Sequence, residues 1–394
     1  MTLVTESNLL AYLYGFLSVL FTCFIILTSK KWHLKYSSDS NVGPQKIHKD
    51  LVPRIGGFSL LAGIVTAILF EIPFAAGFLI GGLPVFLTGI TEDISNKIPP
   101  LFRLSASIIS AMTLVWIFSL QLTANGIPLL NNLFSIKFIA LIITILSIAL
   151  MAQSINIIDG LNGLSIGTTL IMIASIGIIA FNNGDSELTQ FSWFFFTCLL
   201  GLFIFNFPRG FLFVGDGGAY LLGCIIAVMA ILLAERNYNV SSFASLLIVS
   251  YPIYETVRSF IRRTFDKKTN FSIADDRHFH NFMYRVVSKV IKFNDANQNK
   301  IWIPNAIAGA SCCVLPAITG SALRPASIEY KAEIAQQLYK HVWPLFTQGK
   351  LKIPIYQRFS IFQAAEAHKC LEKGEHTGKI VLDVINDDEE SYSL

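Results

Sequence analysis

MAQSINIIDGLNGLSIG, residues 151–167, sits between two long apolar runs and carries a carboxylate, Asp159, flanked by two amides, Asn156 and Asn162, with glycines at 160, 163 and 167. Read as helix, Asn156, Asp159 and Asn162 recur every three residues and share one face. A carboxylate at the edge of a membrane helix is costly unless water, a cation or a partner meets it. The plain alternative is a polar helix end with a glycine stop. It loses ground because polar clusters of the same kind recur at the ends of other apolar runs.

The 394 residues are 53% hydrophobic and 14% charged, with a mean hydropathy of +0.57. A soluble domain carries about a quarter charged residues. This composition therefore implies a polytopic membrane protein and excludes a single soluble core or a nucleic-acid-binding domain. The run from Leu9 to Thr28 is long enough to span, and no small-residue cleavage site follows it. Cys23, Cys198, Cys224, Cys312, Cys313 and Cys370 have neither metal nor disulfide spacing and read as small core residues.

Ten apolar runs follow one another, roughly 8–28, 56–71, 74–90, 104–123, 135–153, 164–181, 191–206, 219–234, 243–260 and 301–319. Lys and Arg sort the connections by side. The loop 29–55 holds six, the loop 261–300 holds nine, and the loops 91–103 and 207–218 hold Lys97, Arg103 and Arg209. The alternate connections hold almost none, Arg236 and the boundary residue Lys137 apart. The N-terminus is thus expected outside and the basic loops in the cytoplasm.

The polar clusters fall on that basic side. They are Lys46 to His48 with Pro53 to Gly57, Glu92-Asp93 with Lys97 and Arg103, Asn156 to Asn162, Asn206 to Arg209 with Gly215-Asp216-Gly217-Gly218, and Asp275 to His280. Carboxylates from separate loops, glycine-rich turns and basic residues suit a divalent cation bridging phosphates: Mg²⁺ takes one or two carboxylates plus phosphate oxygens and water. Glycines let backbone approach an anion, and Arg and Lys neutralise it. His278 and His280 are candidates for phosphate contact or proton transfer. Each cluster alone has a plain reading as a turn or a solvated pair; their convergence at one face points to a shared site.

Six motifs, HKDLVPRIGG (48–57), GITEDISNKIPPLFRL (89–104), SINIIDGLNGL (154–164), FNFPRGFLFVGDGGAYLLG (205–223), YPIYETVRSFIRR (251–263) and DDRHFHNFMYR (275–285), occur in order. Together they resemble the polyprenyl-phosphate N-acetylhexosamine-1-phosphate transferases, glycosyltransferase group 4. The resemblance implies a membrane transferase that moves a sugar-1-phosphate from a UDP-N-acetylhexosamine to undecaprenyl phosphate and releases UMP, with Mg²⁺ or Mn²⁺ as cofactor. By position, Glu92 and Asp93 match the family's acidic pair, Asp159 its central aspartate, Asp216 its metal-binding aspartate, and His278 and His280 its histidine motif. The resemblance thus implies Asp93, Glu92 and Asp159 as catalytic residues, Asp93 being preferred and Asp159 the alternative for orienting or deprotonating the lipid phosphate. Asp216 and Asp159 are the implied metal ligands. Asn156, Asn162, His48, Arg54, Lys97, Arg103, Asn206, Arg277, His278 and His280 are the expected substrate contacts. Glu92 stands where many members have Asp, a pattern similar to the branch that starts O-antigen and related surface polysaccharides, and Asn281 stands where a further His is common.

From Gly320 the text becomes charged and amphipathic, where the transferase family would place another membrane helix. It resembles the last segment of the zinc-free NADPH:quinone oxidoreductases, but a glycine-rich strand-to-helix nucleotide turn in a βαβ context is lacking. The expectation is an all-α polytopic membrane protein of about ten transmembrane helices, residues 1–319, in the bacterial inner membrane with its site on the cytoplasmic face. A short soluble α/β-like tail without catalytic function, residues 320–394, would follow. A transporter or lipid-binding membrane protein without chemistry is the alternative, favoured by polar sites near the bilayer midplane.

Overall fold

A computed structural model describes residues 6–37, 51–95, 97–122, 134–265, 278–290, 302–320, 355–360, 363, 366, 370 and 379–383. The chain divides into two units, Met1–Ser321 and Ala322–Leu394. Every one of the ten apolar runs is helical: Glu6–Thr28, Gly57–Leu69, Ala75–Ser95, Pro100–Phe118, Lys137–Ile158, Leu164–Asn182, Ser186–Asn206, Gly215–Arg236, the pair Ser242–Ile248 and Ser250–Phe265, and Trp302–Gly320. Two further helices, Lys30–Ser37 and Phe279–Val290, lie in the basic loops.

Among the described residues, seven helices are long and apolar enough to cross a membrane. The other three runs depart from the expected span for separate reasons. Gly57–Leu69 has 13 residues, about 20 Å of helix against a hydrocarbon core of about 30 Å. The run 243–260 breaks at Val249, and its second half, Ser250–Phe265, ends in Arg262 and Arg263. Trp302–Gly320 contains Pro304, Asn305 and Pro316, which weaken a spanning helix.

The helix Gly215–Arg236 is the axis of the first unit. It is buried without a break from Gly215 to Ala234, as a helix that is apolar all round must be. It packs most extensively against Ala75–Ser95 and Lys137–Ile158. Small residues set these crossings, as is usual between membrane helices. A Cβ at Gly89 would lie 2.4 Å from the Gly217 backbone, one at Gly57 2.7 Å from the Gly218 backbone, and one at Gly223 2.5 Å from Ala152. The backbones therefore touch where the start of the central helix meets its neighbours.

In the second unit, Ile355–Ser360 pairs in parallel with Lys379–Asp383. Parallel neighbours need a connection of a dozen or more residues, and 18 residues separate the two strands in the sequence. This agrees with the α/β character expected of the tail.

Gly89→Val is expected to destabilise the protein by about 1–3 kcal/mol, the scale of an overpacked core, because the side chain must separate two backbones. Size-exclusion chromatography of heated, detergent-solubilised protein would show the lower melting point. A melting point equal to wild type would contradict the close crossing at Gly217.

Candidate active site

The site is built around the start of the Gly215–Arg236 helix. Residues 53–57 run alongside 213–214: the Phe213 N–H donates to Pro53 O at 3.0 Å, the Gly56 N–H to Phe213 O at 2.9 Å, and the Gly57 N–H to Val214 O at 2.8 Å. Gly215 has φ +76°, and a Cβ there would collide with the Arg54 carbonyl oxygen. Only glycine serves at this position, for both conformation and space. The result is that Arg54 is held over the helix start.

Helix starts leave backbone N–H groups without intrahelical partners. Here Asp93, from the last turn of Ala75–Ser95, supplies acceptors from another helix. Its Oδ1 accepts from the Asp216 N–H at 2.9 Å and its Oδ2 from the Gly217 N–H at 3.1 Å. Asp93 is fully buried, and a carboxylate at a helix N-terminus also meets the favourable end of the dipole.

Around this cap the charges interlock. Arg54 reaches Asp216 Oδ1 at 2.8 Å and Asp93 Oδ1 at 3.5 Å. Arg103 reaches Asp216 Oδ2 at 3.2 Å and Glu92 Oε1 at 3.7 Å. Glu92 also accepts from the Ile98 N–H at 2.7 Å, which fixes the turn after its helix. Asp159, just past the Lys137–Ile158 helix, accepts from the Ser165 hydroxyl. Burial pushes its carboxyl up to about 6; Ser165 and Arg54 pull it down and Asp216 pushes it further up. Asp159 therefore faces the same cluster as Asp216 and Arg54. When ionised, the carboxylates of Glu92, Asp93, Asp159 and Asp216 outnumber the guanidiniums of Arg54 and Arg103 by two.

Other expected residues fall in different places. Asn156 donates to the Tyr220 hydroxyl at 3.1 Å, and Tyr220 also contacts Arg103, so both belong to the cluster's wall. Lys97 is exposed near the acidic pair. Asn162 and Asn206 bind the protein itself. The Asn162 side chain donates to Pro208 O at 2.9 Å and its backbone N–H to Asn305 Oδ1 at 2.7 Å. Asn206 accepts from the Gly163 N–H at 2.6 Å and donates to Leu212 O at 2.9 Å. These two amides, expected as substrate contacts, tie the 159–163 turn to the 207–213 loop. His278 and His280 are buried, with rings stacked at 5.3 Å and 5°. A Cβ at Gly160 would sit 2.6 Å from His280 Nε2, which brings that ring to the residue beside Asp159. His48 and Arg277 lie outside the described residues.

Tyr220, Ser165 and Asn305 were not singled out by the sequence. Tyr220 had a signal, its place in a motif one helical turn beyond Asp216, and so did Ser165, which lies in the 151–167 stretch that carries Asp159. Among the described residues no three His, Cys, Asp or Glu side chains form a ready metal cage. Mg²⁺ does not require one, since it keeps waters and binds through one or two carboxylates with substrate phosphates. The four carboxylates, a desolvated Asp159 among them, outnumber the two guanidiniums and are a donor set that fits it.

Asp93→Asn and Asp159→Asn are expected to separate stability from chemistry. An amide at 93 offers one acceptor where two are used and turns a donor toward a backbone N–H, at a cost of about 1–3 kcal/mol. At 159 the sign is opposite. A carboxyl raised to about 6 is penalised by folding once ionised, and that penalty grows as pH rises from the usual carboxylate range through about 6. At pH 7 Asp159→Asn should therefore melt at or above wild type. Equal melting of Asp93→Asn and wild type would contradict the capping role.

The sequence profile of glycosyl transferase family 4 matches residues 75–234, the span that contains Asp93, Asp159 and Asp216. The chain is 26% identical over 284 residues to a probable undecaprenyl-phosphate N-acetylglucosaminyl 1-phosphate transferase of Bacillus subtilis, covering 70% of this chain and 78% of that protein. It is 27% identical over 254 residues to the undecaprenyl-phosphate alpha-N-acetylglucosaminyl 1-phosphate transferase of Thermotoga maritima, covering 62% and 72%. A second profile, described as zinc-binding dehydrogenase, matches residues 315–382. With its helical membrane unit and three aspartates brought to one helix start, the chain is similar to glycosyl transferase family 4 over residues 75–234.

Proposed function

We propose that the chain transfers an N-acetylhexosamine-1-phosphate from a UDP-sugar to undecaprenyl phosphate and releases UMP, as the first step of a surface polysaccharide. The observation that carries this reading is the buried helix start where Asp216 meets Arg54 and Arg103 beside Asp93 and Asp159. The alternative of a transporter has less support, because the polar residues gather at helix ends and not along the middle of the bundle.

A lipid phosphate oxygen attacks the β-phosphorus of the UDP-sugar. The bond from that phosphorus to the bridging oxygen breaks, and the bridging oxygen leaves on UMP. Arg54 and Arg103 are placed to bind phosphate oxygens, and the dipole of the Gly215–Arg236 helix favours negative charge at the same point. Asp216 and Asp159 would hold Mg²⁺, which when bound neutralises pyrophosphate charge and stabilises the leaving group. Asp93, the preferred base on sequence grounds, has both oxygens committed to backbone N–H groups. Asp159 is the better-placed carboxylate for orienting or deprotonating the lipid phosphate, and Asp93 holds the helix that carries Asp216. The excess of Lys and Arg in the loops on this side supports a cytoplasmic face in the inner membrane.

Membranes containing the full chain should release UMP when given Mg²⁺, undecaprenyl phosphate and a UDP-N-acetylhexosamine. Asp216→Asn should lower that rate by about 100-fold or more while still inserting. A correctly inserted Asp216→Asn at near wild-type rate would sink the assignment. Deleting residues 321–394 should leave UMP release intact, and the full chain should not oxidise NADPH with a quinone. NADPH-dependent quinone reduction lost on deletion would give the tail a function of its own.

A further inference from the structure

Glu255 belongs to the Ser250–Phe265 helix and is 1% exposed. Its Oε2 accepts from the Phe279 N–H at 3.2 Å and lies 3.4 Å from Nδ1 of His278. Its Oε1 is 3.8 Å from Arg258. His278 in turn stacks parallel on His280, and the His280 ring lies so close to Gly160 that a Cβ there would meet Nε2 at 2.6 Å. Glu255, His278, His280 and Gly160 thus form a continuous line of contacts from the broken ninth apolar run to the residue next to Asp159.

A carboxylate beside one imidazole nitrogen decides which ring nitrogen keeps its proton and where the ring points. A buried carboxylate also costs free energy unless its charge is used by such partners. We propose that Glu255 is a positioning residue: it fixes the His278 ring and the first backbone N–H of the Phe279–Val290 helix, so that the stacked histidines close over the Asp159–Gly160 turn. Glu255 itself touches no substrate and acts through His278. The kinetic arm of its test rests on the transferase reading above.

Glu255→Gln keeps the size of the side chain and an oxygen for the Phe279 N–H, and removes the charge facing His278. In the purified full chain, carbethoxylation of His278 and His280 by diethylpyrocarbonate, followed by mass spectrometry, should be at least about threefold faster in Glu255→Gln than in wild type. Unchanged rates would overturn the proposal, whether or not the protein is a transferase. In the kinetic arm, Glu255→Gln and His278→Gln should each lower kcat/KM by about tenfold, and the double variant should be no worse than His278→Gln alone, the mark of residues acting as a unit. Losses that multiply to about 100-fold would mean that Glu255 acts independently of His278 and would overturn the proposal. If Glu255→Gln does not insert, Glu255→Asp carries the same comparison, with modification rates between wild type and full exposure expected and wild-type rates contradicting the idea. An absence of UMP release by wild type would sink the transferase reading and leave the modification rates to decide on Glu255.

Discussion

The first membrane unit is arranged around a helix that begins inside the protein. Water cannot satisfy the unpaired N–H groups of that first turn, so the chain must do so. Asp93 supplies two acceptors from a neighbouring helix. This choice places a carboxylate in the interior, and a carboxylate in the interior demands a cation. Arg54 answers it, held by the short backbone ladder between residues 53–57 and 213–214. The same ladder requires glycine at 215, and the close crossings at Gly89 and Gly217 let Asp93 reach the helix at all. A demand of membrane folding and the construction of the proposed phosphate-binding site are thus met by the same atoms.

Burial distinguishes the cluster from the ion pairs at the other end of the central helix, where Arg236 and Glu187 are exposed while Asp93 and Asp216 are not. At the other end of the central helix, Arg236 binds Asp185 at 2.8 Å and Glu187 at 2.8 Å, and Asp185 also caps the Ser186–Asn206 helix. Asp185 and Glu187 have direct work there, in the cap and in the ion pairs. At the start of the central helix, Asp159 stays ionised only against the penalty of burial, with Asp216 close by. Carboxylates buried in excess of the guanidiniums that face them suit a cation-dependent site.

Much of this was legible in the sequence. Helices form wherever an apolar run was read, because each run is long enough for its backbone to be satisfied internally. The convergence of Asp93, Asp159, Asp216, Arg54 and Arg103 was legible too, because charged residues at the ends of apolar runs have few places to go. The division of labour among them was not. Asn162 and Asn206, expected as substrate contacts from the resemblance, also bind loop backbone, because an interior full of loop backbone needs donors and acceptors as much as a substrate does. Asp93 read as a base, since nothing in Glu92-Asp93 shows that both oxygens are taken by a helix far along the chain. Glu255 lay in the motif 251–263, but no role could be read for it there. Its partners, 23 and 24 residues on, are brought to it only by the fold.

The aspartates at the start of the Gly215–Arg236 helix are proposed to form one divalent-cation site. Electron paramagnetic resonance of purified protein titrated with Mn²⁺ in the presence of UMP tests it most directly. Saturable binding of one Mn²⁺ per chain is expected, lost in Asp216→Asn and retained when residues 321–394 are removed. Binding of equal strength in Asp216→Asn, or no saturable binding by the wild-type chain, would contradict it.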